Sequence, residues 1–185
     1  MTERMGFLTR NNFVRVAFVV ILVAGIAVGA GAGMSTVAAQ EAVTGCQTID
    51  SPGEYELTTD ISTTGDCITI LSGNVTLDGN GNTITGDNTG VFTGVPADID
   101  DGIDVGGTMT GVSAGDPVTI HNVNVTNFVN GVRIGADEEV ELRNVVLREH
   151  TSQAMTMGGG GSAGPGPTVT IRDSIVADNE GETVE

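Results

Sequence analysis

The chain contains no lysine and no tryptophan, a single tyrosine, five phenylalanines and only two cysteines among its 185 residues. With so few aromatics it offers no evident platform on which sugar rings or nucleobases could stack. The missing lysine has a second consequence. Seven arginines oppose 24 acidic residues, a net charge of −17, which excludes the attraction that nucleic acids and anionic lipid surfaces require. Long apolar runs are also scarce. The one uninterrupted run, Val16 to Val28, follows Arg4, Arg10 and Arg15 and leads through small residues to Val37-Ala38-Ala39 before Gln40.

That order of basic, apolar and small residues reads as a secretory signal peptide over residues 1–39. The alternative is an uncleaved anchor, because the weakly apolar run continues through Gly33 and reaches spanning length. From Glu41 onward four arginines, Arg133, Arg143, Arg148 and Arg172, oppose 23 acidic residues, a net charge of −19. At molar salt the Debye length falls to about 3 Å and this self-repulsion is largely screened. An exported protein of a high-salt environment fits the composition, and an ordinary acidic secreted domain is the alternative.

Glycine is abundant instead, with 28 residues, and its placement sets the rhythm of the chain. In Asp66–Gly86 the runs Ile68-Thr69-Ile70, Val75-Thr76-Leu77 and Thr83-Ile84-Thr85 each alternate apolar and polar, and each ends at a corner rich in Gly, Asn or Asp. No run there is long enough for a helix. The pattern returns in Val118-Thr119-Ile120-His121-Asn122, Val140-Glu141-Leu142-Arg143-Asn144 and Val169-Thr170-Ile171-Arg172-Asp173. The first two are 22 positions apart, and the third is 29 further on, across the Gly/Pro-rich stretch near 158–167 that reads as a looped insertion. A period in the low twenties with three short strands per repeat predicts an all-β parallel solenoid, with a corner ladder of Asp78, Asn122, Asn144 and Asp173.

Cys46 and Cys67 lie 21 positions apart, and an even count in an oxidising compartment favours a disulfide over two buried thiols. Closing that loop is worth on the order of 3 kcal/mol in the chain-entropy model. Residues 40–72 are expected to form an N-terminal cap and first coil, with Ile49–Leu57 covering the open end, and residues 73–185 the remaining coils.

The order Ser51-Pro52-Gly53-Glu54-Tyr55-Glu56-Leu57, then Cys67-Ile68-Thr69-Ile70, then Asn74-Val75-Thr76-Leu77-Asp78-Gly79-Asn80-Gly81-Asn82-Thr83-Ile84-Thr85-Gly86 resembles exported archaeal proteins of the NosD-like group. Their repeats also occur in carbohydrate-binding proteins and sugar hydrolases. The resemblance implies a right-handed parallel β-helix, secreted or at the cell surface. It leaves three functions open: a non-catalytic glycan-binding or envelope module, a polysaccharide lyase or glycoside hydrolase, and a copper accessory protein.

Four aspartates, Asp98, Asp100, Asp101 and Asp104, fall within a loosened stretch near 93–116 that is either a degenerate coil or a long loop. They are candidate Ca²⁺ ligands, although their spacing matches no calcium-loop pattern, and a solvated acidic loop is the alternative. Asp101-Gly102-Ile103-Asp104-Val105 and Gly65-Asp66-Cys67-Ile68 resemble pieces of the polygalacturonase active site, but in the reverse order and with one carboxylate replaced by cysteine. No Gly-His-Gly follows, so no catalytic residue is assigned. For copper the ligands would be His121, His150, Met155 and Met157, which form no cluster in the sequence. Asn74-Val75-Thr76 and Asn124-Val125-Thr126 are sequons. A glycan or envelope partner is expected. So is self-association through an open C-terminal coil, whose apolar stack would otherwise face water.

Overall fold

The computed structural model describes residues 39–89, 99–106, 116–136, 138–158 and 166–181. Residues 1–38 of the stretch expected to be a leader, and Asp98, lie outside the described residues. Among those described there are sixteen short strands and no helix. Two lead-in strands, β1 (Glu41–Val43) and β2 (Gln47–Ile49), precede β3 (Gly53–Leu57), β4 (Ile61–Ser62) and β5 (Ile68–Ile70). The next turn of the chain is β6 (Val75–Asp78), β7 (Thr83–Thr85) and β8 (Asp101–Val105), followed by β9 (Val118–His121), β10 (Asn124–Thr126) and β11 (Asn130–Ile134). After it come β12 (Glu139–Arg143), β13 (Val146–Arg148) and β14 (Gln153–Met157), and then β15 (Thr168–Arg172) and β16 (Ile175–Ala177).

Successive strands enter three different sheets in rotation. One sheet has the order β1-β3-β6-β9-β12-β15, a second β16-β13-β10-β7-β4 and a third β14-β11-β8-β5-β2; we call them A, C and B. Every pairing is parallel. The chain is therefore a parallel β-helix, each coil stacked about 4.8 Å from the last. Val75, Val118, Val140 and Val169 occupy one rung of sheet A, so the repeat read from the triplets is the physical register.

Alternation explains why three-residue strands suffice. In Ile68-Thr69-Ile70, Val75-Thr76-Leu77 and Val118-Thr119-Ile120 the apolar residues point inward and are at most 1% exposed, while the threonines face out. Each fully buried aliphatic side chain contributes about 1.5–3 kcal/mol, which the short strands collect as one continuous core. Phe128 is the largest fully buried side chain in that core. It fits because Gly86 and Gly102 lack a Cβ, which at Gly86 would stand 2.8 Å from the ring.

Corners are made by residues in left-handed backbone geometry, which turns a parallel strand sharply. Asn122, Asn144 and Asp173 (φ 54°, 52° and 52°) turn the chain from sheet A to sheet C. Asn88, Asn127, Glu149 and Asp178 (φ 54°, 59°, 60° and 56°) form a second such column between C and B.

Two expectations need correction. Gly53–Leu57 is not a cover but the first full strand of sheet A; β1 lies outside it, with Glu41 beside Tyr55 and Val43 beside Leu57. In the stretch near 93–116 the loop reading fails and the degenerate-coil alternative holds at Asp101–Val105, which is a strand of sheet B between β5 and β11 with all five residues buried. Cys46 and Cys67 form a disulfide, with Cα atoms 4.3 Å apart, joining the starts of β2 and β5 in adjacent coils.

Candidate functional site

Two polar arrangements stand out, one accessible and one enclosed. The accessible one is the outer face of sheet A. Glu54, Thr76, Thr119, Glu141 and Thr170 form one outward row, and Glu56, Asp78, His121, Arg143 and Arg172 a second, each residue directly above its neighbour in the next coil. Glu141 is held between two cations, 3.1 Å from Arg143 Nη2 and 3.5 Å from Arg172 Nε. A groove of about 220 Å³ runs along the first row, bounded by Thr119, Glu141 and Thr170 on one side, Pro117 and Glu139 on the other, and Arg172 of the second row. On sheet C, Thr83, Asn124, Thr126, Val146, Arg148 and Glu149 line a depression of about 350 Å³.

The enclosed arrangement lies on sheet B. Register places Asp104 beside Arg133 and Asp101 beside Asn130, so that Arg133 Nη1 is 3.7 Å from Asp104 Oδ2 and 4.0 Å from Asp101 Oδ2. The Asp101 side chain is fully buried, and its Oδ1 accepts a 2.9 Å hydrogen bond from the Asn130 amide. Asp66 Oδ1 accepts one from the Asp101 backbone N–H at 2.9 Å. Two carboxylates thus face one guanidinium, with Asp66 bonded to the backbone behind them. Burial raises the Asp101 pKa to about 7, with Asp104 and Asp66 adding repulsion, against lowering contributions from the Asn130 hydrogen bond and from Arg133.

The corner residues are hydrogen-bonded to one another. Asn144 Nδ2 donates to Asn122 Oδ1 at 2.9 Å, and Asn122 Nδ2 to Asp78 Oδ1 at 3.1 Å. Asp78 itself stands one rung earlier than expected, level with His121, Arg143 and Arg172; its carboxylate, not its backbone, reaches the corner. The place opposite Asn122 is taken by Gly79, where a Cβ would stand 2.5 Å from the Asn122 carbonyl oxygen.

Of the candidate calcium ligands, Asp101 and Asp104 turn toward Arg133, while Asp100 precedes the strand. Among the described residues no group of three or more His, Cys, Asp or Glu side chains is arranged to hold a metal ion. His121 sits on the outer face of sheet A, 3.5 Å from Asp78, and His150 is wholly buried in the turn between β13 and β14. Met155 points into the core. The sequons differ: Asn74 is exposed, whereas Asn124 is half-buried on an interior strand.

Asn130 and the Asn88–Asn127 corner carry structure that the sequence alone did not single out, and His150, considered there only as a copper ligand, has a structural setting. The His150 ring accepts a 3.3 Å hydrogen bond from the Phe128 backbone at Nδ1. Burial lowers its pKa to about 4, against raising contributions from backbone hydrogen bonds and Glu149. Its Nε2 lies 2.5 Å from where a Cβ on Gly131 would stand, so that glycine makes room for the ring. Asn88 Nδ2 donates to Asn127 Oδ1 at 3.2 Å, a side-chain contact between two left-handed corners; Asn88 lies three residues past its strand and Asn127 one, so no fixed spacing announced it. Comparison with protein-family models, with curated proteins and with solved structures finds no match.

Proposed function

We propose that this protein is an exported module of the cell envelope or extracellular space that binds glycans through the outer face of sheet A and does not cleave them. One observation carries the reading: hydroxyl, carboxylate, imidazole and guanidinium groups stand in two straight rows beside an open groove. Their spacing, about 4.8 Å per coil, is close to the length of one pyranosyl unit, so a sugar chain lying across the strands meets an equivalent pair of polar groups at each residue. Planar bidentate groups such as Glu141 and Arg172 suit vicinal hydroxyls. The Cys46–Cys67 disulfide and the lysine-free, acidic composition support export into a salty medium, and the charge argues against nucleic acid. The NosD-like resemblance supports the same class. No cofactor is needed for it. Ile171 and Ile175, 44% and 52% exposed on the last described coil, support a further coil or a second copy as a partner there.

The test is titration of neutral and acidic oligosaccharides into the protein at molar salt, with Thr119→Val and Glu141→Ala as controls. Saturable binding weakened several-fold by either substitution is expected. No binding in any sugar class, or binding indifferent to both changes, overturns the reading.

A glycoside hydrolase is the second reading, favoured by one observation, the pairing of Asp101 and Asp104 at a single guanidinium with Asp101 in the range of a general acid. Release of reducing ends that disappears in Asp101→Asn would replace binding by cleavage as the function.

A further inference from the structure

We propose that Asn74 is an N-glycosylation acceptor and that Asn124, which carries the same Asn-Val-Thr pattern, is not. The two sequons are chemically identical, so only their surroundings can separate them. Asn74 stands at the corner that opens β6, in left-handed backbone geometry (φ 55°), with its side chain exposed. Its Nδ2 makes a 2.9 Å hydrogen bond to the carboxylate of Asp116, itself exposed, which water can replace. Thr76 lies two residues on and faces outward, while Val75 between them is buried, so amide and hydroxyl are presented together on one side of the strand.

Asn124 has the opposite setting. It is half-buried within β10 instead of exposed at a corner, and its Nδ2 is directed at the Gly81 carbonyl (3.3 Å) and Thr83 Oγ1 (3.5 Å). The Thr126 hydroxyl is also committed, donating to Glu149 at 3.1 Å. A sugar on Asn124 would displace the neighbours lining the sheet C depression, whereas one on Asn74 would project from a corner into solvent.

The modification rests on export, which supplies the chemistry. The bond formed joins Asn74 Nδ2 to the anomeric carbon of a sugar; the bond broken joins that carbon to a phosphate oxygen of a lipid-phosphate-linked oligosaccharide. The lipid phosphate leaves with the electron pair, and the amide proton passes to a base of the transferring enzyme. The backbone of Asn74 keeps its place, since its N–H donates to Pro117 O (3.0 Å) and its carbonyl accepts from Gly53 N–H (3.1 Å).

The experiment expresses the full chain in a secretory host that performs N-glycosylation and reads intact mass and glycopeptides. One glycan on the peptide containing Asn74 and none on that containing Asn124 is expected. Asn74→Gln and Thr76→Ala should each remove the whole mass increment, Thr76→Ser should restore it, and Asn124→Gln should leave it unchanged. Translocated, disulfide-bonded protein with bare Asn74, or with sugar on Asn124, overturns the proposal. So does a chain that is never translocated, because its premise is then gone. Glycan binding by the sheet A face is scored separately on unmodified Asn74→Gln protein, so the two readings fail independently.

Discussion

The triplet Val-Thr-Ile occurs twice in sheet A, at Val118–Ile120 in a central coil and at Val169–Ile171 in the last described one. Ile120 is fully buried; Ile171 is 44% exposed. Sequence, strand and sheet are the same, and the difference lies in the neighbours. β9 is paired on both sides, by β6 and β12, whereas β15 is paired by β12. Burial in a solenoid is thus conferred by the stack and not encoded in the motif, and each coil depends energetically on the next.

Truncating the two isoleucines should separate them most sharply. Ile120→Ala removes packed methyl groups from a site that cannot collapse freely and should cost about 2–5 kcal/mol. Ile171→Ala should cost less than about 1 kcal/mol, because much of its side chain already meets water. Chemical denaturation of both variants measures the gap. Equal losses would mean that something covers Ile171 in solution, and the comparison would then locate a partner surface.

The central coils also hold two buried groups with strongly shifted pKa values, and these oppose one another. The folded pKa of Asp101 is raised, so its contribution is fullest below the unfolded value of 3.8 and is lost as pH rises toward about 7. That of His150 is lowered, so its contribution is fullest above 6.5 and is lost as pH falls toward about 4. At full expression Asp101 is worth on the order of 4 kcal/mol and His150 on the order of 3 kcal/mol. The two should largely cancel between pH 4 and 7. Asp101→Asn removes the falling component, so the variant's stability should climb with pH across that window while the parent's stays nearly level. Superimposable pH profiles would show that Asp101 is not the group carrying the shift.

The parts legible in the sequence were those governed by short-range rules. Alternation in the triplets and left-handed Asn at the corners are local properties, and Val118, Val140 and Val169 declare their register by spacing alone. Asp101–Val105 did not read as a strand, because its charged residues mimic a loop until β5 and β11 flank it. Its meeting with Arg133 depends on aligning two coils across intervening chain, so no spacing announced it. Glu149 in left-handed geometry was equally hidden, since Glu rarely adopts it and here follows its column.

The smallest predicted effect isolates the corner ladder. Asn122 both donates to Asp78 and accepts from Asn144, while Asp173, the equivalent residue one coil beyond Asn144, is exposed. Both have φ near +50°, where an alanine would add backbone strain of its own, so glycine is the cleaner probe. Asn122→Gly keeps the turn and deletes three side-chain hydrogen bonds, to Asp78, Asn144 and the adjacent His121 ring, each worth about 1 kcal/mol net, so a loss of roughly 1–3 kcal/mol is expected. Asp173→Gly relieves left-handed strain at an exposed position, and its effect should lie within about 0.5 kcal/mol of zero. The difference between the two variants, read from denaturation midpoints at a fixed salt concentration, is the ladder's own contribution. If Asn122→Gly costs no more than Asp173→Gly, the corner is held by backbone pairing alone, and the column of amides would serve only to supply residues that tolerate the turn.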